Sequence, residues 1–298
     1  MYLELSFDLG SLDPQAAEGA CWACGASALT FVDARDDAVL EPAPGEFRLW
    51  PRTRLRCLFG REFDAPGIAT ALAAALGLDP RSIEVRVVAD RVWEREWLKH
   101  FHPMRFGRRL WVCPHHERVS AREAIVVALD PGLAFGTGTH PSTALCLTWL
   151  DAHAHLLRDA HLAPGRRVID YGCGSGVLAL AAAKLGAAEV HCFDIDPQAL
   201  SAARANSEAN GLAAHVRVHE HADALPQEVD LLLANILSGP LSQLAPRFAS
   251  LVRPGGQVVL AGLMQHEVAD VTGAYAPCFD VAPFGEREGW VGLAGRRL

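Results

Sequence analysis

Apolar residues alternate with period two in four stretches of the first 88 residues, YLELSFDL, ALTFVDAR, RTRLRCLF and SIEVRVV, which therefore read as strands. Between them, DPQAAEGACWACGA and PGIATALAAALG carry helical spacing and end at Gly25 and Gly77. The resulting order is strand, helix, strand, strand, helix, strand. That is the ferredoxin-like α+β pattern, a module used for many purposes, so it assigns no function.

From Ala124 the periodicity changes. AIVVALD leads in, and THPSTALCLTWLDAHAHLL reads as a helix with Thr139 at its N-cap and Pro141 in its first turn. The strands VID, EVHCFDID, HVRVHE, VDLLLAN and QVVLAGL are then interspersed with the helices VLALAAAKLG, PQALSAARANSEANG and LSGPLSQLAPRFASLV. A helix near MQHEVADVTGAYA follows, and the strands CFDVAPF and GWVGLAG close the chain around the polar turn GEREG. The alternation predicts an α/β domain, a mostly parallel, Rossmann-like seven-stranded sheet with helices on both faces.

DRVWEREWLKHFHPMRFGRRLWVCP lies between these patterns, with Trp93, Trp97, Phe101, Phe106 and Trp111 set among basic residues. Such a segment can stack on nucleic acid or clamp two domains together. The formal net charge of −8 favours the clamp. The expected division is 1–88 for the ferredoxin-like domain, 89–118 for an aromatic-rich linker and 119–298 for the Rossmann-like domain.

No apolar run approaches the roughly 18 residues needed to cross a bilayer, and MYLELSFDLG lacks the flank and apolar centre of a signal peptide. A cytoplasmic protein is expected, with its eight cysteines as reduced core thiols. The acidic balance argues against a general polyanion binder and suits a basic partner. Neither nucleic acid nor membrane is an expected partner, and a monomer is expected.

VIDYGCGSG runs an apolar strand into Gly172, Gly174 and Gly176. Glycines there let a ligand approach backbone N–H groups and a helix N-terminus. The dinucleotide fingerprint needs a small residue five positions after the first glycine, where this chain has Val177. That spacing disfavours NAD and FAD and fits S-adenosylmethionine, which has no pyrophosphate to cradle. Asp194, ending the next strand, is placed to accept hydrogen bonds from the ribose hydroxyls. Asp196 reads as the cap of the helix beginning at Pro197. Asp223 is placed for the adenine amino group.

Asn235 stands at the carboxyl end of the fourth strand, where an open sheet puts its chemistry. Its carbonyl can accept a hydrogen bond from an amine and aim the lone pair at a sulfonium methyl, which makes it the candidate catalytic residue. In DPGLAFGTGTHPSTALCL, Gly132, Gly136 and Gly138 permit a closing loop, and the helix after Thr139 directs its amides and the Thr143 hydroxyl at an anion or carbonyl. His140 is near enough to be a proton acceptor, although a histidine there more often bonds locally. No metal site is expected from Cys21-x-x-Cys24 or the His153/His155 and His219/His221 pairs, which lack partners.

The stretches WEREWLKHFHPMRFG, LDPGLAFGTGTHPSTALCLTWL, VIDYGCGSGVLALAAAKLGA, DIDPQAL and ANILSGPL together resemble the PrmA methyltransferases, which modify the eleventh protein of the large ribosomal subunit. The resemblance spans nearly the whole chain. It implies a class I methyltransferase domain that moves methyl groups from S-adenosylmethionine to lysine side chains and the N-terminal amine of that protein. It places ligand contacts on Thr143, Gly172, Asp194 and Asn235, with Gly174 in the same turn, and implies substrate recognition by the N-terminal module and a linker that lets the catalytic domain be repositioned. Ile236 and Leu237 follow Asn235, as in this family, where many amine methyltransferases have Pro-Pro-aromatic, so no aromatic wall comes from that motif. DAHAHLLRDAHLAPGRR is longer than the family's usual loop. The alternatives are a methyltransferase for another protein, a small amine or an RNA base, and a non-enzymatic RNA-binding module with a degenerate nucleotide fold.

Overall fold

The computed structural model describes residues 2–35, 49–60, 64–88, 101–129, 138–158 and 166–298. The chain divides into two compact units, Met1–Trp93 and Glu94–Leu298.

The first unit contains β1 (Tyr2–Asp8), α1 (Pro14–Ala23), β2 (Ala28–Asp33), β3 (Thr53–Phe59), α2 (Ala65–Leu76) and β4 (Glu84–Val88). Its antiparallel sheet has the order β2-β3-β1-β4, that of the ferredoxin-like pattern. Asp13 and Asp64 cap the helices by accepting from Ala16 N at 2.8 Å and Gly67 N at 3.0 Å, each just before a helix carrying proline in its first turn. Leu5, Phe7, Leu55 and Phe59 form the core with Ala17, Cys21 and Leu72 of the helices. Cys21 is a core residue there, its Sγ 3.2 Å from that of Cys57, and all eight cysteines are free.

The second unit opens with β5 (Met104–Phe106), β6 (Leu110–Cys113) and β7 (Ile125–Ala128), a three-stranded sheet in that order. Then follow α3 (Pro141–Ala152), β8 (Arg167–Tyr171), α4 (Val177–Leu185), β9 (Glu189–Phe193), α5 (Pro197–Ala209) and β10 (Val216–His219). The remaining elements are β11 (Val229–Asn235), α6 (Ser238–Leu251), β12 (Val252–Met264), α7 (Val268–Tyr275), β13 (Phe279–Arg287) and β14 (Trp290–Arg297). The main sheet is seven-stranded with order β10-β9-β8-β11-β12-β14-β13, parallel except at β14. Leu147, Leu178 and Ala203 of α3, α4 and α5 share one apolar cluster with Val168 and Val190, while Leu241, Phe248 and Tyr275 of α6 and α7 share another with Ile169 and Leu232. The sheet is therefore covered on both faces. Its order reverses beside β8, between β9 and β11, and such a switch opens a crevice at the strands' carboxyl ends.

Three features differ from the sequence reading. The stretch from Phe101 to Arg118, assigned there to the linker, is built into the second unit: Phe101 and Phe106 are each 4% exposed and cluster with Leu110, Val112, Val127 and Leu147. Trp93 and Trp97 lie outside the described residues. The N-cap of α3 is His140 and not Thr139, because the imidazole Nδ1 accepts from Ser142 N at 3.3 Å. The last hairpin is tighter than GEREG suggested. Its strands run to Arg287 and Trp290, and Glu288 and Gly289 between them both have positive φ, 54° and 81°. Among the described residues no helix is long and apolar enough to cross a membrane.

His191 of β9 is 4% exposed, and its Nδ1 lies 2.9 Å from Nε2 of His219 on β10. Burial first, and then the neighbouring His219, push its pKa down from 6.5 to about 4, so the fold holds it neutral. Its neutral form therefore stabilises the fold above the unfolded value, and that contribution is lost as pH falls from 6.5 toward about 4. Denaturant titrations across that window should show a loss on the order of 2–3 kcal/mol that His191→Gln largely removes. An unchanged slope in the variant would assign the acid sensitivity to other groups.

Candidate functional site

The turn leaving β8 is built by Gly172, Gly174 and Gly176 at φ 75°, 53° and 81°. These are values that side chains rarely adopt. Gly172 N and Cys173 N both donate to Phe193 O, at 2.8 and 3.0 Å, and fasten the turn to the end of β9. Gly174 N donates to Asp194 Oδ2 at 2.8 Å, while Asp194 Oδ1 accepts from Asp196 N at 3.0 Å. One backbone donor per oxygen fixes the carboxylate and leaves each oxygen a lone pair for a ligand hydroxyl. Asp196 caps α5 by accepting from Gln198 N at 2.8 Å.

Ile236 follows β11 and fills the space beside this turn. A Cβ on Gly172 would overlap the Ile236 side chain, and one on Gly262 of β12, itself at φ 91°, would overlap the Ile236 backbone. The ends of β8, β11 and β12 thus converge at the switch point.

A cavity of about 360 Å³ opens there, bounded by Thr143, Gly172, Gly174, Asn235, His140 and Trp290 among others. Asn235 Nδ2 donates to Thr143 Oγ1 at 3.1 Å, joining the end of β11 to the first turn of α3. Thr143 is 3% exposed, so the bond is sheltered. With Nδ2 committed, the amide oxygen is the acceptor left to a ligand. His140 Nδ1 lies 2.7 Å from Ser142 Oγ, and its ring meets Trp290 edge-on at 4.6 Å between centroids. Burial lowers the His140 pKa against the opposing pull of Glu288, which keeps the imidazole neutral near pH 7.

Beneath the turn, Asp170 is 1% exposed. Its Oδ2 accepts from Ala179 N at 2.9 Å, and its Oδ1 has no partner. Burial raises its pKa to about 7; the Ala179 N–H opposes the shift and the charge of Asp194 adds to it. A nearby cation would drive this carboxyl to ionise.

Of the residues singled out in the sequence, Thr143, Gly172, Gly174 and Asn235 line one cavity, and Asp194 is tied to it through Gly174. Asp223 is not among the cavity's lining residues; its fully exposed carboxylate lies 3.3 Å from Arg247. Gly132 and Gly136 lie outside the described residues. Sequence reasoning missed Asp170, although an acid in an apolar strand two residues before a glycine turn was a visible signal. It missed Ile195, which is 90% exposed beside Asp194. Trp290 carried no signal at all, being 55 positions from Asn235 in a strand read only as a closing element.

Over residues 1–298 the chain matches the family model described as ribosomal protein L11 methyltransferase (PrmA). The chain belongs to the PrmA family. It is 45% identical over 297 residues to the ribosomal protein L11 methyltransferase of Pseudomonas aeruginosa, covering 99% of this chain and 98% of that one. The Methylococcus capsulatus protein of the same description is 48% identical over 275 residues, covering 92% and 91%. The crystal structure of ribosomal protein L11 methylase from Lactobacillus delbrueckii subsp. bulgaricus superposes with a TM-score of 0.58 at 30% identity, covering 66% of this chain and 99% of that one. In this PrmA protein Ile236 packs between two glycines while Leu237 is exposed, and Trp290 is an aromatic residue of the cavity lining.

Gly172→Ala should destabilise the second unit by about 1–3 kcal/mol through backbone strain alone, with overlap on Ile236 adding to it. In an Ile236→Ala background the substitution should cost less, since the overlapped side chain is gone. Equal costs in both backgrounds, read from urea denaturation, would show that the Ile236 contact does not constrain the turn.

Proposed function

We propose that the protein transfers methyl groups from S-adenosylmethionine to lysine side chains and the N-terminal amine of ribosomal protein L11. The observation that carries this reading is the Asn235 amide, oriented by Thr143 with its oxygen unspent, in the cavity formed by the glycine turn. The donor fits this site: the turn has no Cβ to obstruct it, Asp194 has free lone pairs, and the buried Asp170 oxygen has no partner.

Asp194 would hold the ribose hydroxyls, the Gly172–Gly174 backbone and the Thr143 end of α3 would flank the methionine portion, and Ile195 with Asp223 would receive the adenine. Arg247 competes for the Asp223 carboxylate. When bound, S-adenosylmethionine supplies a methyl activated by its sulfonium. The chain's own work is placement: the Asn235 oxygen accepts a hydrogen bond from the neutral amine and fixes the direction of its lone pair. His140, held neutral by burial with its Nδ1 lone pair spent on Ser142 N, lines the cavity without serving as the proton acceptor. Trp290 gives the ammonium and its methylated product an aromatic face. The N-terminal unit recognises L11 and takes no part in the chemistry.

Incubation with tritiated S-adenosylmethionine and a mixture of purified L11, ribosomal RNA and free lysine tests the assignment. Label should enter L11 and map by mass spectrometry to amines. Label in RNA or free amine, or in L11 at atoms other than amines, would overturn it.

Asp194→Ala should weaken donor binding by about 1–3 kcal/mol, the cost of losing charged hydrogen bonds, and NADH should not compete. Asn235→Ala should reduce kcat by about 10²-fold or more while changing donor affinity much less, since positioning acts on the transition state. A fragment beginning near Glu94 should retain donor binding by calorimetry. A start at Val119 should not, because it removes β6, the pairing partner of β7.

A further inference from the structure

The second unit carries another cavity, which methyl transfer leaves without a task. It lies at the carboxyl end of α3, about 15 Å along that helix from the Thr143 end at 1.5 Å per residue. Its volume is about 830 Å³, and Arg105, Arg108, Arg109, Arg122 and Arg158 line it. Four of these arginines are exposed and Arg109 is half-buried. Among the described residues none of the five makes an ion pair, although other arginines of this unit do, as Arg166 and Arg253 do with Asp230.

Two carboxylates share the lining, those of Glu123 and Asp151. Asp151 is already committed: 6% exposed, it accepts from the backbone N–H of Arg108 at 2.5 Å, Leu110 at 3.2 Å and Arg109 at 3.3 Å. Gly107, at φ 67°, fits over it, and a Cβ there would overlap the Asp151 side chain. Asp151 thus stitches the β5–β6 turn to α3 and holds three arginines at the cavity wall. The negative end of the α3 dipole, about half a charge, attracts one cation and does not account for five. Arg105 and Arg158 donate to backbone carbonyls, of Arg108 and Leu185 at 2.8 Å each, so guanidinium charge without a carboxylate partner is gathered in one concavity of a chain whose net charge is −8.

We propose that this cavity binds the phosphate backbone of RNA. Guanidinium forks match phosphate oxygens in pairs, and separate arginines around a concavity of this size can meet successive phosphates along a strand. The choice of RNA rests on the L11 reading, since a ribosomal protein works among RNA phosphates. It reverses the expectation drawn from net charge, because binding follows the local field of the patch. With the acidic remainder opposing it, the interaction should be modest and steep in salt.

The test is fluorescence anisotropy of a short labelled RNA hairpin with the full-length protein and with Arg108→Gln/Arg122→Gln, across a salt series. The wild type should bind with log K falling against log salt by about 0.7–0.9 per phosphate neutralised. The variant should lose about ten-fold or more in affinity and show a shallower slope. Circular dichroism and donor affinity report that it is folded, and Arg108→Lys/Arg122→Lys should restore part of the binding. No RNA binding by the wild type, equal binding by the variant, or displacement of RNA by polyglutamate as readily as by unlabelled RNA would overturn the proposal, the last result pointing to an acidic protein. Inorganic phosphate competing at low concentration would likewise replace RNA with a small anion. Methylation of free L11, measured in parallel, should be unchanged in the variant; its absence in the wild type would sink the L11 reading while leaving the RNA measurement intact.

Discussion

The close approach of three strand ends around Ile236 is the constraint on which the site depends. Neither Gly172 nor Gly262 could carry a side chain there, and each also holds a positive φ. Because Ile236 fits between them, the turn after β8 comes beside the end of β11, and Asn235 is delivered to the cavity with its amide within reach of Thr143. A parallel sheet changing direction at β8 supplies the crevice. The two glycines and one isoleucine bring the strand ends close, and a single hydrogen bond joins the Asn235 amide to Thr143.

Helix α3 organises the second unit from both ends. Its start presents His140, Ser142 and Thr143 to the cavity at the strand ends. Its last turn, through Asp151, fastens the β5–β6 turn and shapes the arginine cavity. Its middle, through Leu147 and Leu150, packs against Phe106 and Val112 in the main cluster. That packing makes the hairpin before α3 part of the second unit, and one helix borders both cavities.

How much of this was legible in the sequence depended on range. The glycine spacing and the Asp196 cap are local patterns whose physics acts over a few residues, and the structure has them where the sequence reading put them. The ferredoxin-like order and the seven-stranded sheet follow from periodicity and were equally readable. The contacts that needed folding to exist were not. Trp290 reaches His140 across 150 positions, and the Gly262 clash with Ile236 depends on strand register. The aromatic-basic segment looked like a linker because nothing local reveals that Phe101 and Phe106 are buried in the core cluster of the second unit. Net charge, an average over the chain, concealed five arginines brought together from three separate segments.

The central claim is that Thr143 orients the Asn235 amide for the incoming amine, and a change that leaves the amide in place while removing its anchor tests it. Single-turnover methylation of L11 at saturating donor and substrate should slow by about ten-fold or more in Thr143→Val, from misplacement of the reacting pair, with S-adenosylmethionine affinity falling much less and the rate largely recovered in Thr143→Ser. A Thr143→Val protein that methylates L11 at the wild-type rate would contradict the account.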